Sequence, residues 1–291
     1  MNKLNKRIRK ISHEGTILKD RFGTEDVFER IIQVADEEVT TNTRELLFSA
    51  LAAGFAITLT FFLYASMYAN TDGHVILKGL LYPLGFIYIV LGGYQLFTEN
   101  TLPPVALLFE RMTTVLNVLR VWGVVLVGNF VGGAIGALAL AFTGVFGPQA
   151  RQAGITLAQS TLAIPFSDLF FKAVFAGFIV AGVVWLDYSA RDTVSRFILV
   201  YMAFLTIPLT GLKHIVITFT EMIYLFLTTG GPVLSYLISA ALPVLLGNIV
   251  GGVLLVTTVN YYMTPKIIEK NPEEKYSFKR IFSGYDPVDK K

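Results

Sequence analysis

Phe204-Leu205-Thr206-Ile207-Pro208-Leu209-Thr210-Gly211-Leu212-Lys213-His214-Ile215-Val216-Ile217 is an apolar run broken in its middle, first by Thr-Gly and then by two adjacent basic residues. A spanning helix gains nothing from a glycine, a lysine and a histidine at its centre, because charge and unpaired backbone are costly in hydrocarbon. An ionisable pair at a helix break is therefore a functional site to be explained, and the rest of the chain says what kind.

Of the 291 residues, 54% are hydrophobic and only 15% charged, against roughly 25% charged in soluble domains. The charges gather at the two ends, which describes a membrane protein with polar tails. There is no cysteine, so neither disulfides nor thiolate metal sites are available. No nucleophile–base pair, metal cluster or phosphate loop is visible, so an enzyme, a cofactor or a bound metal is not expected. The net charge of +3 fits cations beside a membrane and not a nucleic-acid surface.

The first ten residues are basic, but the first long apolar segment begins only near Leu46, so no signal-peptide pattern is present and the N-terminus should be retained. From Thr24 a helix is expected. Thr24 can cap it, Glu25 and Asp26 suit its positive end, and Val27, Phe28, Ile31, Ile32, Ala35 and Val39 share one side. It should lie on the membrane surface or against the pore domain. Six apolar segments follow, over 46–68, 79–109, 115–142, 169–188, 197–227 and 234–263, each long enough for a hydrocarbon core that needs about 20 residues. The second and fifth are too long for one straight span, and both are broken. With both ends on one side, 20 of the 24 Lys and Arg residues fall on that side, which makes it the cytoplasmic one. The expected organisation is a cytoplasmic segment 1–45, a six-helix pore domain 46–264 and a cytoplasmic tail 265–291, in an inner or plasma membrane. The polar connection 144–167 should lie on the outer face.

The two halves resemble each other. Phe48-Ser49-Ala50-Leu51-Ala52-Ala53-Gly54-Phe55 matches Phe171-Lys172-Ala173-Val174-Phe175-Ala176-Gly177-Phe178 at an offset of 123. Val127-Gly128-Asn129-Phe130-Val131-Gly132-Gly133 matches Leu246-Gly247-Asn248-Ile249-Val250-Gly251-Gly252 at 119, which also places Gly92 on Gly211 and Gln95 on His214. Each half holds three spans with a broken middle one, and an odd number of spans inserts the second half upside down. The expected fold is an all-α membrane protein of six transmembrane helices, an inverted 3+3 repeat with spans 2 and 5 broken near the midplane. The glycines spaced by four should let helices approach closely, and Asn129 and Asn248 should brace the breaks by hydrogen bonds.

At each break a half-helix starts inside the bilayer with free N–H groups and the positive end of its dipole facing inward. Together with Lys213 and His214 these ends make an electropositive centre, whose natural solute is an anion. A histidine proton moves near neutral pH, so proton and anion can meet at His214 and leave as a neutral acid. His13 and His74 lie in polar segments and have no such role.

These residues resemble the formate/nitrite transporter family. Gly92-Gly93-Tyr94-Gln95-Leu96-Phe97-Thr98 is similar to the family's first break motif, Gly211-Leu212-Lys213-His214-Ile215-Val216 to its second, and Phe171 through Trp185 to its fourth span. The resemblance implies an aquaporin-like protomer in a homopentamer, one pore per subunit, passing small monovalent anions such as formate, nitrite, lactate or hydrosulfide with protons. It implies that His214 is the central histidine, that Thr98 lies between the half-helices, that the pore and proton-relay residues are His214, Lys213, Thr98 and Gln95, and that Leu96, Phe97, Ile207, Tyr82 and Phe86 form apolar constrictions. Lys172 could draw anions to the outer mouth or merely snorkel. The sequence departs from the family pattern where Lys213 and Gln95 replace acidic residues and Gly177 replaces an asparagine. Lys213 can pair with Glu99 or Glu221 as a brace, trap anions in the pore, or lose its proton; the brace is preferred. The other functional readings are a neutral-solute channel of aquaporin type, which lacks its Asn-Pro-Ala signatures here, and a transport-inactive scaffold or sensor.

Overall fold

The computed structural model describes residues 22–264 and 276–283. The basic first residues, His13 and most of the tail fall outside them. All regular structure among the described residues is helical.

Helix α1, Thr24–Thr40, starts where the sequence places it, but Thr24 is its first helical residue and not its cap: Gly23 holds that position, its N–H donating to Asp26 Oδ2 at 2.9 Å. Val27, Phe28, Ile31, Ile32, Ala35 and Val39 are buried on one face, and so is Glu38. That face packs on the helices over 103–109, 115–142 and 166–189. The spans follow as α2 (Thr43–Asn70), α3 (Val75–Gly79) with α4 (Leu84–Gly92), α6 (Val115–Phe142), α8 (Phe166–Ser189), α9 (Thr193–Thr210) and α11 (Val233–Met263), six in all by length and composition. Short half-helices continue the broken spans, α5 (Pro103–Phe109) after α4 and α10 (Ile215–Thr229) after α9. Side-chain caps fix several starts: Asn42 accepts from Glu45 N at 3.0 Å, Thr114 from Asn117 N at 3.2 Å and Asp192 from Ser195 N at 2.8 Å. The connection 144–167 is not merely polar loop. It contains helix α7, Pro148–Leu162, which packs on α2 and α10 through Ala153, Gly154, Leu157, Ala158 and Thr161.

The repeat is visible in the packing. Gly128 and Gly132 of α6 stand against the carbonyls of Leu47 and Leu51 on α2, while Gly247 and Gly251 of α11 stand against those of Phe170 and Val174 on α8. Lipid tails give helices no hydrophobic reason to associate, so close backbone approach over small residues is what holds each pair. Both broken spans end on a glycine in the left-handed region, Gly93 at φ +66° and Gly211 at φ +68°. The structural counterpart of Gly211 is therefore Gly93 and not Gly92, an offset of 118. This one-step change pairs Gln95 with Lys213 and leaves His214 opposite Leu96. The last helix, α11, carries two π-helical stretches, Leu237–Ala241 and Gly251–Thr257. The second brings Thr257 Oγ1 to 2.9 Å from Thr101 O beside the first break. On the side of the chain ends, Arg111 follows α5 and binds the described part of the tail: its Nη2 donates to Tyr276 O at 2.8 Å and its guanidinium lies 4.1 Å over Phe278. Helix α12, Phe278–Ser283, follows from that contact.

Candidate functional site

Each break is held by one asparagine from the adjoining span. Asn129 Nδ2 donates to Ala50 O at 2.8 Å and Gln95 O at 2.9 Å, and its Oδ1 accepts from Phe97 N at 2.9 Å. Asn248 does the same in the other half, donating to Ala173 O at 2.8 Å and Lys213 O at 3.1 Å and accepting from Ile215 N at 2.9 Å. Unwound backbone in a dry interior would leave these groups unpaired at a cost of about 1–3 kcal/mol each, and the two side chains remove it. Gly54 and Gly177 lie against the backbones of Asn129 and Asn248 respectively. An asparagine at position 177 has no room, so Gly177 is part of this clamp.

The breaks meet. His214 is the cap residue of α10 and is 1% exposed, and its Nε2 lies 2.7 Å from Thr98 Oγ1, which is itself fully buried. Nδ1 of the same ring has no partner. Whichever tautomer is present, one ring nitrogen is engaged by Thr98 and the other is open. Phe86 presents a ring 5.1 Å from the imidazole, nearly perpendicular to it, and stacks on Phe204 at 3.8 Å. Tyr82 lies 5.9 Å from Phe86, and Phe97 lies edge-on to Trp122 at 5.8 Å. Leu96, Phe97, Ile207, Tyr82 and Phe86 are all buried. Beyond Ile215, whose N–H is taken by Asn248, the first-turn N–H groups of Val216 and Ile217 belong to the set a helix cannot satisfy internally. The positive end of α10 thus faces the imidazole.

The other basic residue turns elsewhere. Lys213 Nζ donates to Thr161 Oγ1 at 2.8 Å, and that hydroxyl donates to Glu221 Oε2 at 2.9 Å. The lysine is joined to the buried Glu221 of α10 through a threonine of α7, and Glu99 is not its partner. Lys172 also reaches inward, its Nζ 3.6 Å from where a Cβ on Gly211 would stand. It lies beside the carbonyl end of α9, where a cation complements the helix dipole.

Gln95 does not join His214. Its Nε2 donates to Glu38 Oε1 at 3.3 Å and its Oε1 accepts from Asn100 Nδ2 at 2.8 Å. These three residues line a cavity of 360 Å³ on the side of the chain ends, together with Glu99 and Asp187. Phe204, Thr161 and Glu38 are the participants that reading the sequence passed over. A signal existed for Glu38, an acid in helical register with buried Ile31 and Ala35. Among the described residues no group of His, Asp and Glu side chains could hold a metal.

The formate/nitrite transporter family matches residues 25–262. The inner membrane protein YfdC of Escherichia coli is 29% identical over 81% of this chain and 77% of its own. The formate channel FocA of Haemophilus influenzae is 28% identical over 74% and 85%. Among solved structures, a pentameric formate channel with formate bound superposes with a TM-score of 0.62 at 23% identity, over 76% of this chain and 97% of that one. An ion channel of the same family superposes at 0.74 and 19% identity, over 82% and 99%. The family match spans most of the chain, and this chain belongs to the formate/nitrite transporter family.

Proposed function

We propose that the protein conducts small monovalent anions or their neutral acids across the membrane, with proton exchange at His214. The observation that carries this reading is the buried Thr98–His214 contact of 2.7 Å at the junction of the two breaks, with Nδ1 of the same ring unpartnered. An anion reaching the junction finds the positive end of α10, the Lys172 ammonium beside Gly211 and one open imidazole nitrogen. Thr98 holds the ring so that this nitrogen stays available, and a hydrogen bond from it to an anion oxygen is the step at which a proton can follow. The apolar rings of Phe86 and Phe204 then favour a neutral species over a charged one. Thr98 and His214 carry the relay. Lys213 braces through Thr161 and Glu221, and Gln95 serves the cavity side. Relatives named as formate channels support a formate-like solute, and a solved pentameric neighbour supports a homopentamer. The charge bias supports cytoplasmic chain ends in an inner or plasma membrane.

The test is uptake of formate, nitrite, nitrate, lactate and hydrosulfide into liposomes over a pH series, with wild type and His214→Asn side by side. Wild type should move at least one of these with a pH-dependent rate, and the variant should lose that dependence. Wild type inert to all five refutes the channel reading, and an unaltered pH profile in His214→Asn refutes the relay.

A further inference from the structure

The cavity at the side of the chain ends is an unexpected antechamber for an anion. Glu37 and Glu38 approach it from α1, Glu99 from the break and Asp187 from the end of α8, with Tyr94 and Tyr188 as the other titratable groups. Among the described residues, Arg196 of α9 places its Nε 3.7 Å from Asp187 Oδ1, and Arg120 of α6 donates to Val39 O at 2.7 Å and to Thr41 O at 3.2 Å, at the end of α1 beside Glu38. Arg30 and Arg191 stack over the Phe22 ring at 3.5 and 4.6 Å. Four ionised carboxylates here would repel the solute that the central histidine is built to receive.

The hydrogen bonds around Glu38 resolve this. Glu38, Gln95 and Asn100 form a ring of three mutual contacts: Gln95 to Glu38 at 3.3 Å, Asn100 to Gln95 at 2.8 Å, and the remaining amide atom of Asn100 at 3.2 Å from both Glu38 oxygens. Each amide brings one nitrogen and one oxygen to the ring; the Asn100 atom facing Glu38 also lies 3.1 Å from Gln95 Oε1, so a nitrogen there donates both ways but sets the Asn100 oxygen 2.8 Å from Gln95 Oε1. Turning one amide, or both, moves the mismatch without removing it: somewhere in the ring an oxygen faces an oxygen with no hydrogen between them. All of these oxygen–oxygen contacts are relieved only if the third member also donates once and accepts once. A carboxylic acid does so, and a carboxylate does not. Independently, Glu99 Oε1 on the cavity wall is sealed from solvent and has no hydrogen-bond partner, which suits an atom awaiting a proton or a donor.

We propose that Glu38 is a proton-binding site separate from His214, and that its protonated ring with Gln95 and Asn100 keeps the antechamber neutral enough to admit a small anion. The balance is simple: Glu38 carboxylate plus a proton from water on the cytoplasmic side gives the carboxylic acid, and loss of that proton returns a negative charge to the anion's path. Burial of Glu38 points the same way, holding its carboxyl up at about 8, with the charge of Glu37 adding to the rise and the Gln95 hydrogen bond opposing it. The reading of the antechamber as an anion path rests on the proposed function; the proton site does not.

Two measurements on the full-length protein test it. In infrared titrations, wild type should show a protonated-carboxyl band that disappears with a midpoint near 8 and is missing from Glu38→Gln, whose amide closes the ring permanently. In liposomes, formate flux entering from the cytoplasmic face should fall about tenfold as that face is taken from below to above this midpoint, the effect of one unit charge several ångströms away at intermediate dielectric. Glu38→Gln should keep its flux. Absence of a band that depends on Glu38 overturns the proton site, and an alkaline fall that persists in Glu38→Gln overturns its role in admission. Wild type that shows the band yet passes no anion leaves the proton site standing and refutes the channel reading instead.

Discussion

Phe86 and Phe204 are counterparts in the two inverted halves, 118 positions apart like Gly93 and Gly211, and their rings stack 3.8 Å apart beside His214. Counterparts in an inverted repeat touch each other only at the axis that relates the halves. The stack therefore marks that axis, and this apolar pair lies against the imidazole instead of far from it. Replacing Phe204 with Ala removes one ring from the axis while leaving the breaks and their asparagine clamps untouched. Lactate uptake relative to formate should rise about tenfold, the effect of roughly 1.4 kcal/mol taken from the barrier of the bulkier solute. An unchanged ratio in liposomes would show that size is selected elsewhere.

Thr98 and His214 give a sharper contrast. Thr98→Val keeps the shape of the side chain but leaves Nε2 of a buried ring without its partner, a cost of about 1–3 kcal/mol. Formate flux should drop about tenfold and its pH profile should flatten or shift, because the ring is no longer held in one orientation. Thr98→Ser restores the hydroxyl and should behave as wild type. Equal flux and equal pH profiles in Thr98→Val and wild type would remove threonine from the relay.

The spans and the helix from Thr24 were legible because length and apolar period report them directly. The junction was legible only in part. The offset between halves is 123 over α2 and α8, 118 at the glycines of the breaks and 119 over α6 and α11, since the connections between spans differ in length. A single offset of 119 sets Phe204 opposite Gly85 and Gln95 opposite His214, so it hides the ring pair and lends the histidine a polar mate that it lacks. Helix α7 was missed because its buried stripe is Ala153, Gly154, Leu157, Ala158 and Thr161, a single large apolar side chain among small residues at helical spacing within a polar composition. Contacts such as Lys213 to Thr161 or Gln95 to Glu38 join elements remote in sequence and leave no local trace.

Lys213 is joined to Glu221 through Thr161, so removing its charge should be felt as instability. Lys213→Met leaves the buried Glu221 without a counter-charge and should destabilise the protein by about 3 kcal/mol, the lower end for a broken buried pair because the lysine is only partly buried. Adding Glu221→Gln, which keeps the hydrogen bond from Thr161 without the charge, should recover most of that loss. Lys213→Glu, which sets two carboxylates on one threonine, should be worse than Lys213→Met. Thermal unfolding in detergent measures the series, and a Lys213→Met protein as stable as wild type would rule out the brace.

Glu38 ties stability to pH in a direction fixed by its raised pKa. Its carboxyl ionises near 4.5 when the chain is unfolded and near 8 when folded. Between those values the folded state holds a proton that the unfolded state has released, so stability falls as pH rises. The contribution is fully present below about 4.5 and is lost progressively until about 8, beyond which both states are ionised. The readout is the difference in melting temperature between wild type and Glu38→Gln across this window, since other groups titrate equally in both proteins. Wild type should lose several degrees relative to the variant on going from the acid to the alkaline end. A difference that stays constant with pH would mean that Glu38 is ionised in the folded protein and that its contacts with Gln95 and Asn100 are those of a carboxylate.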